Sequence, residues 1–361
     1  MSNALISTLH FYNNYGSVLQ AYALREVLIH KMGCSADIFP YIPQIPDHKY
    51  FEDNELTKLY EKKVDKFKKF RERYLNMSGI NSRTVQGAFE ILGKQLDDYE
   101  LFIAGSDIIW GREFSNLDPV YFLRFAPGTK KCIAYAASVV LDENGHSEND
   151  SLFYENLKKF RQISVRETSA VAPIQLYSDN VKVESVIDPT LLVGTETYEE
   201  LEENISDFLG EPYLLAYFLT HDPAAVDYTN CIAKKFGLRV IHYWADYPKH
   251  IFNETTKCFA FTGPGEFLSL VRNAKLIFTN SFHGTCFSVI YRKPFYTYMA
   301  KRNLLSRVRD TIEKLGLEER FFYDFNDMVR VTTDIDYSDM ENRLKNLQRD
   351  SIDFLRMGVN E

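Results

Sequence analysis

With 361 residues, the chain exceeds what one hydrophobic core usually holds, so two domains are expected. Hydrophobic residues at 45% and charged residues at 25% are ordinary for a globular protein, and a formal net charge of -8 excludes broad electrostatic binding of nucleic acid. Five cysteines, at 34, 132, 231, 258 and 286, form no CxxC pair, which predicts reduced, buried thiols, a cytoplasmic location and no metal site.

No apolar run reaches the ~18 residues of a membrane span, and no basic segment leads into a hydrophobic stretch as in a secretory leader. Short apolar runs alternate with helical periodicity, the pattern of parallel sheets covered by helices. A strand is predicted at Ala4–Leu9, a polar turn at His10–Ser17, and a helix from Val18 to Lys31 that stops at Gly33. Ala36–Tyr41 is extended, Pro43 and Pro46 mark a loop, and a charged helix follows from Asn54 to Tyr74. Next come a helix over Val85–Asp97 and strands at Glu100–Ala104, Lys131–Ala137, Ile163–Arg166 and Val181–Ile187.

The second half repeats the theme. Strands are predicted at Tyr213–Thr220, Leu238–Trp244, Lys275–Asn280 and Phe295–Met299. Helices are predicted at Pro223–Phe236, Glu266–Asn273, His283–Tyr291, Asn303–Leu315 and 337–357, with a loop over Ala245–Gly263.

Four segments carry candidate chemistry, each at the end of a predicted strand. In HFYNNYGSVLQ (10–20), Asn14, Tyr15 and Gly16 join a strand to a helix, where free amides and the helix dipole favour a polar or anionic ligand. A plain helix cap accounts for that turn equally well. In AGSDIIW (104–110), Asp107 can accept a hydroxyl proton or orient a sugar. Ser106 and Asp107 serve just as well as caps, and Trp110 as a cleft wall or a core residue.

Arg166 ends an apolar strand, so its guanidinium needs an anion: either a nearby carboxylate such as Glu167, or a substrate carboxylate or phosphate. The sharpest segment is TNSFHGTCF (279–287), where Ser281, His283, Gly284 and Thr285 sit at the start of a helix. An imidazole and hydroxyls beside helix amides suit a phosphate and an acid/base step; a histidine that merely caps its helix is the plainer alternative.

Residues 58–73 hold eight basic and three acidic side chains, with Tyr60, Val64, Phe67, Phe70 and Tyr74 as an apolar stripe. The run 58–74 suits peripheral contact with an anionic membrane surface or, more simply, a docked helix with a solvated outer face.

Taken in order, NNYGSVLQAYAL (13–24), AGSDIIW (104–110), YAASV (135–139), ISVRE (163–167), DPTLL (188–192) and TNSFHGTCFSVIYRKPF (279–295) resemble the polysaccharide pyruvyl transferase family. One departure is Ile108, where similar chains often carry Gln. The resemblance implies two Rossmann-like domains of GT-B type with a C-terminal helix that crosses back: residues 1–195 on the acceptor side, 196–335 on the donor side, and 336–361 returning.

The resemblance also implies an active site in the cleft between the two domains. There the enolpyruvyl unit of phosphoenolpyruvate would pass to a glycan or lipid-linked sugar of the cell surface as a ketal, with phosphoenolpyruvate as substrate and no cofactor. Arg166 and His283 fall at positions implicated in holding phosphoenolpyruvate, with Ser281, Gly284 and Thr285 beside the phosphate. His283 is the expected acid and Asp107 the expected base, while Asn14, Tyr15, Gly16, Ser106 and Trp110 face the acceptor. The rival readings are a nucleotide-sugar glycosyltransferase on the same fold and a carbohydrate-binding relative without catalysis.

Overall fold

The computed structural model describes residues 2–42, 54–77, 81–111, 118–139, 150–178, 181–205, 210–219, 222–244, 261–298, 305–323 and 331–360. The expected loop at Pro43 and Pro46, most of the one at 245–263, and Cys258 lie outside them.

The chain divides into two compact units. The first holds Met1–Asp47, Lys68–Val193 and Leu344–Glu361; the second holds His48–Phe67 and Gly194–Arg343.

The first unit is built on β1 (Asn3–Ser7), α1 (Tyr15–Met32) and β2 (Ser35–Ile38). It continues through the end of α2 (Asn54–Tyr74), α3 (Val85–Leu92), β3 (Leu101–Ala104), β4 (Lys131–Ala137) and α4 (Asp150–Leu157). It closes with β5 (Gln162–Val165), α5 (Val171–Gln175) and β6 (Val183–Ser185). All six strands pair in parallel, in the order β2-β1-β3-β4-β5-β6. Their apolar faces pack with Phe102, Trp110, Phe122, Phe153 and Ile163 into one core.

The second unit repeats the winding. It runs α6 (Thr195–Glu199), β7 (Tyr213–Phe218), α7 (Pro223–Phe236), β8 (Arg239–Trp244), α8 (Pro264–Asn273) and β9 (Leu276–Thr279). Then come α9 (Phe282–Ile290), β10 (Phe295–Tyr298), α10 (Leu305–Leu315) and a short edge strand, β11 (Phe321–Phe322). Its sheet is also parallel, in the order β11-β10-β9-β7-β8.

In each sheet the strand order reverses beside the first strand: between β1 and β3 in one, and between β7 and β9 in the other. Ligands of open α/β sheets bind outside the carboxyl ends of the strands at such a reversal.

Two helices begin in one unit and finish in the other. The early part of α2 packs Leu56 and Tyr60 against Phe261, buries Lys63 with its Nζ 2.6 Å from the Tyr243 hydroxyl, and pairs Lys66 with Glu266 at 2.7 Å. Its last turns set Phe70 and Tyr74 against Tyr22. The apolar stripe is therefore packed against protein, and α2 offers only its charged face to a membrane surface. The second such helix, α11 (Ser338–Asn360), has its Arg343 in the second unit. From Leu344 on it belongs to the first, where Leu191 O accepts from Gln348 and Ile187 N–H donates to Ser351 Oγ.

Helix ends follow local chemistry. Gly33 and Gly237 take left-handed conformations (φ 68° and 63°) and stop α1 and α7. The same device at Gly93 (φ 60°) ends α3 five residues before the helix expected to reach Asp97. Helix α1 starts at Tyr15 instead of Val18, because Asn14 Oδ1 accepts the Ser17 N–H at 3.3 Å and caps it early. Cys231 is exposed on α7, which corrects the expectation of uniformly buried thiols; Cys34, Cys132 and Cys286 are buried.

Among the described residues no helix is long and apolar enough to cross a membrane.

Candidate functional site

The winding reversal of the first unit gathers side chains from four strand ends. Arg166, directly after β5, is 2% exposed. Its NH1 donates to Asp188 Oδ2 at 2.8 Å and its NH2 to Asp107 Oδ1 at 3.4 Å. Asp188 follows β6 and also accepts from the Thr190 N–H (2.9 Å), the Thr190 hydroxyl (2.7 Å) and the Ser106 hydroxyl (3.3 Å). Asp107 accepts from its neighbour Ile108 N–H (2.9 Å) and from the Ser17 hydroxyl of α1 (2.8 Å). Buried charges need this density of partners, because desolvation is otherwise costly.

The arginine's expected local partner is corrected. Glu167 instead accepts from the Ser138 hydroxyl and, at 3.3 Å, from the Val139 N–H. As placed, Arg166 holds two carboxylates of its own chain.

The backbone here is strained where it matters. Asp107 has φ 74° and Ala136, on the neighbouring strand, φ 47°. Such outliers persist only when the surroundings over-determine them, and they cluster at working sites. Gly105 has φ 122°, and a Cβ there would lie 2.1 Å from Tyr135 O, so glycine is required.

Gln20 ties the β1–α1 turn together: its Nε2 donates to Thr8 Oγ1, Leu9 O and Ser17 O at 2.9, 3.1 and 2.9 Å. His10 is fully buried with its Nε2 3.0 Å from Phe39 O; burial first and the Arg71 charge second push its pKa down to about 3.

Several expected site residues prove structural. Ser106 is buried and donates to Ala136 O (3.1 Å). Trp110 is a core residue and no cleft wall: it stacks on Phe122 at 5.6 Å and its Nε1 donates to Tyr121 O. Tyr15 and Gly16 are buried in the first turn of α1, while Asn14, its cap, stays partly exposed beside Tyr12 and Asn13. Burial and then the Asp107 charge push the Tyr12 phenol up, which places Tyr12 near that carboxylate. Asn13 Oδ1 has no hydrogen-bond partner among the described residues.

The second unit's reversal is built, among the described residues, from hydroxyl, amide and imidazole side chains. Thr279, last in β9, donates to Tyr217 O at 2.5 Å and accepts the Ser281 N–H at 3.0 Å. Asn280 Oδ1 accepts the Leu219 N–H at 2.8 Å, joining the ends of β7 and β9. Ser281 caps α9 by accepting the Gly284 N–H at 3.2 Å, and the Thr285 N–H bonds Ser281 O at 3.0 Å. The amides of Gly284 and Thr285 are thus occupied within the turn. The Thr285 hydroxyl donates to Ser281 O and lies 2.8 Å from Thr297 Oγ1.

Gly284 permits close seating of α9 on the sheet: a Cβ would meet Thr279 Oγ1 at 2.5 Å and Tyr217 Cδ1 at 2.8 Å. His283, 8% exposed, meets the Phe282 ring edge-on at 5.0 Å. Burial pushes the Tyr217 phenol up against the opposing effect of a hydrogen bond with Ser281.

Sequence reasoning passed over Ser17, Asp188 and Tyr217 as functional. The first two lie in segments quoted for the resemblance, but their partners stand 90 and 22 residues away in the chain. Among the described residues no group of three or more His, Cys, Asp or Glu side chains could hold a metal ion.

Comparison with known proteins follows this geometry. A family model described as polysaccharide pyruvyl transferase matches residues 14–299. No curated protein matches the chain. Among solved structures, UDP-N-acetylglucosamine 2-epimerase from Rickettsia bellii is similar at 10% identity and TM-score 0.54, covering 100% of this chain and 97% of that one. The trehalose-6-phosphate synthase OtsA is similar at 6% identity and TM-score 0.52, covering 99% and 97%. These likenesses concern the fold, two Rossmann-like domains of GT-B type.

Proposed function

Because the chain belongs to the polysaccharide pyruvyl transferase family, and is thus a transferase acting in polysaccharide modification, we propose that it moves the pyruvyl group of phosphoenolpyruvate onto two hydroxyls of a glycan. The observation that carries this reading is the β9–α9 turn, with its hydroxyls and imidazole. It sets His283, Ser281 and the Tyr217 phenol at the start of a helix, where the macrodipole favours a phosphate.

In this reading His283 protonates the methylene carbon of the enol, leaving cationic character on the central carbon. A sugar hydroxyl adds there and gives up its proton, for which Asp107 is the candidate base. The bond from the central carbon to the phosphate oxygen then breaks, and phosphate leaves. A second hydroxyl adds in its place, its proton going to phosphate, and the ketal is complete.

Arg166 acts through Asp107, which it orients from behind together with Ser17. Tyr12, partly exposed near that carboxylate, and its chain neighbour Asn13 suit the hydroxyls of a sugar acceptor.

The test is phosphate release from phosphoenolpyruvate across a panel of glycans, with mass spectrometry of the products. Acceptor-dependent phosphate release and the mass gain of one pyruvate ketal are expected. Transfer of sugar from a nucleotide sugar, with phosphoenolpyruvate untouched, would overturn the reading.

A further inference from the structure

The second unit carries another pocket, at the amino edge of its sheet. Pro212, Leu238, Lys275 and Pro294 immediately precede β7, β8, β9 and β10, and they line a cavity of about 480 Å³ together with Arg292 and Lys293. Since these strands are parallel, the cavity lies at the end of the sheet opposite the His283 turn.

Its charge is one-sided, for among the described residues the lining contains three cationic side chains and no carboxylate. Arg292 is paired with Glu341 at 2.7 Å. Lys275 and Lys293 have no ion-pair partner among the described residues. Burial, and then the positive charges of Lys275 and Arg272, push the Lys293 ammonium's pKa down. Arg272 itself is held by Glu199 and Glu202 at 3.2 and 3.1 Å.

The backbone fixes this arrangement. Arg292 sits at φ 49°, a left-handed conformation that costs a non-glycine residue energy and marks functional positions elsewhere. Lys293 is anchored at both ends of its peptide: its N–H donates to Ser288 O at 2.8 Å, and its C=O accepts the Tyr337 hydroxyl at 2.6 Å.

We propose that this pocket is a second anion site, one that takes the phosphate or diphosphate group of a soluble phosphorylated small molecule. A phosphate ester carries about two negative charges near neutrality, matching the two ammonium groups that lack carboxylates. The apolar floor of Pro212, Leu238 and Pro294 suits the carbon portion of such a ligand. Concavity favours a small ligand over a bilayer, which a protruding surface would serve better.

The test is an acylation footprint of the full chain, read by mass spectrometry, with inorganic pyrophosphate as the probe at constant ionic strength. Labelling of Lys275 and Lys293 should slow about fivefold or more, because an anion stabilises both ammonium forms, while exposed Lys158 is unaffected. Calorimetry with pyrophosphate should show one binding event weakened about tenfold or more in Lys275→Met/Lys293→Met and largely restored in Lys275→Arg/Lys293→Arg, with phosphate release from phosphoenolpyruvate unchanged. Unaltered labelling, or undiminished pyrophosphate binding by the folded methionine variant, would overturn the proposal. Protection by vesicles rich in phosphatidylglycerol but not by pyrophosphate would also overturn it, assigning the pocket to a lipid surface.

Discussion

The two units share a winding and place their candidate residues at the same topological point, yet they fill it with opposite chemistry. In the first unit, Arg166, Asp107 and Asp188 form a buried ionic group of one guanidinium and two carboxylates. In the second, Ser281, Thr279, Tyr217 and His283 set hydroxyls and an imidazole around a helix start. A guanidinium shared between two buried carboxylates holds shape; hydroxyls and an imidazole at a positive helix end suit an outside anion. On the proposed function, the same scaffold separates positioning from donor chemistry.

The largest expected effect breaks the ionic group. Arg166→Met leaves two buried carboxylates without their counter-charge and should cost about 3–5 kcal/mol of stability, measured by urea unfolding. A loss below about 1 kcal/mol would mean the group is solvated and free to serve a ligand. In the second unit, Gly284→Ala drives a methyl into Thr279 and Tyr217, and about 1–3 kcal/mol should be lost.

Acid should weaken both units through their buried imidazoles. His10 titrates at about 3 and His242 at about 4, each lowered by burial. Unfolded, both bind a proton near pH 6.5, so between that pH and their folded values the unfolded state holds more protons and stability falls as pH falls. The slope is about 1.4 kcal/mol per pH unit for each imidazole. Unfolding midpoints that stay flat from pH 7.5 to 4.5 would contradict the burial.

The smallest effect separates the paired caps. Asn14→Ala and Ser281→Ala should each cost about 1 kcal/mol of stability, but only Ser281→Ala should weaken phosphoenolpyruvate binding, as titration calorimetry would read. Equal loss of binding in both would erase the distinction between the two points.

Much of this architecture was readable in the residues. Helix α2 runs from Asn54 to Tyr74 and α7 from Pro223 to Phe236 as periodicity predicts, and β4 spans Lys131–Ala137 as its apolar run does. Local signals suffice there, because a stripe, a capping Asp222 and a left-handed Gly237 act within one turn. Strand β11 escaped notice because the two residues Phe321–Phe322 are too short to alternate.

The candidate sites were legible as positions and less so as roles. Strand ends pointed to Asp107, Arg166 and His283, but which anion Arg166 meets depends on chain crossings that no local pattern encodes. Trp110 illustrates the same limit: a polar Gly-Ser-Asp turn suggested a cleft, while its ring packs among Phe122, Phe153 and Phe160.

The central claim is that donor chemistry belongs to the β9–α9 turn, with His283 as the acid. Its most direct test is turnover and phosphoenolpyruvate affinity of His283→Ala with a responsive glycan in hand. Turnover should fall roughly 100-fold or more, with donor affinity changed far less. Turnover intact at saturating donor, with affinity alone reduced, would contradict the claim and leave His283 a ligand of the phosphate.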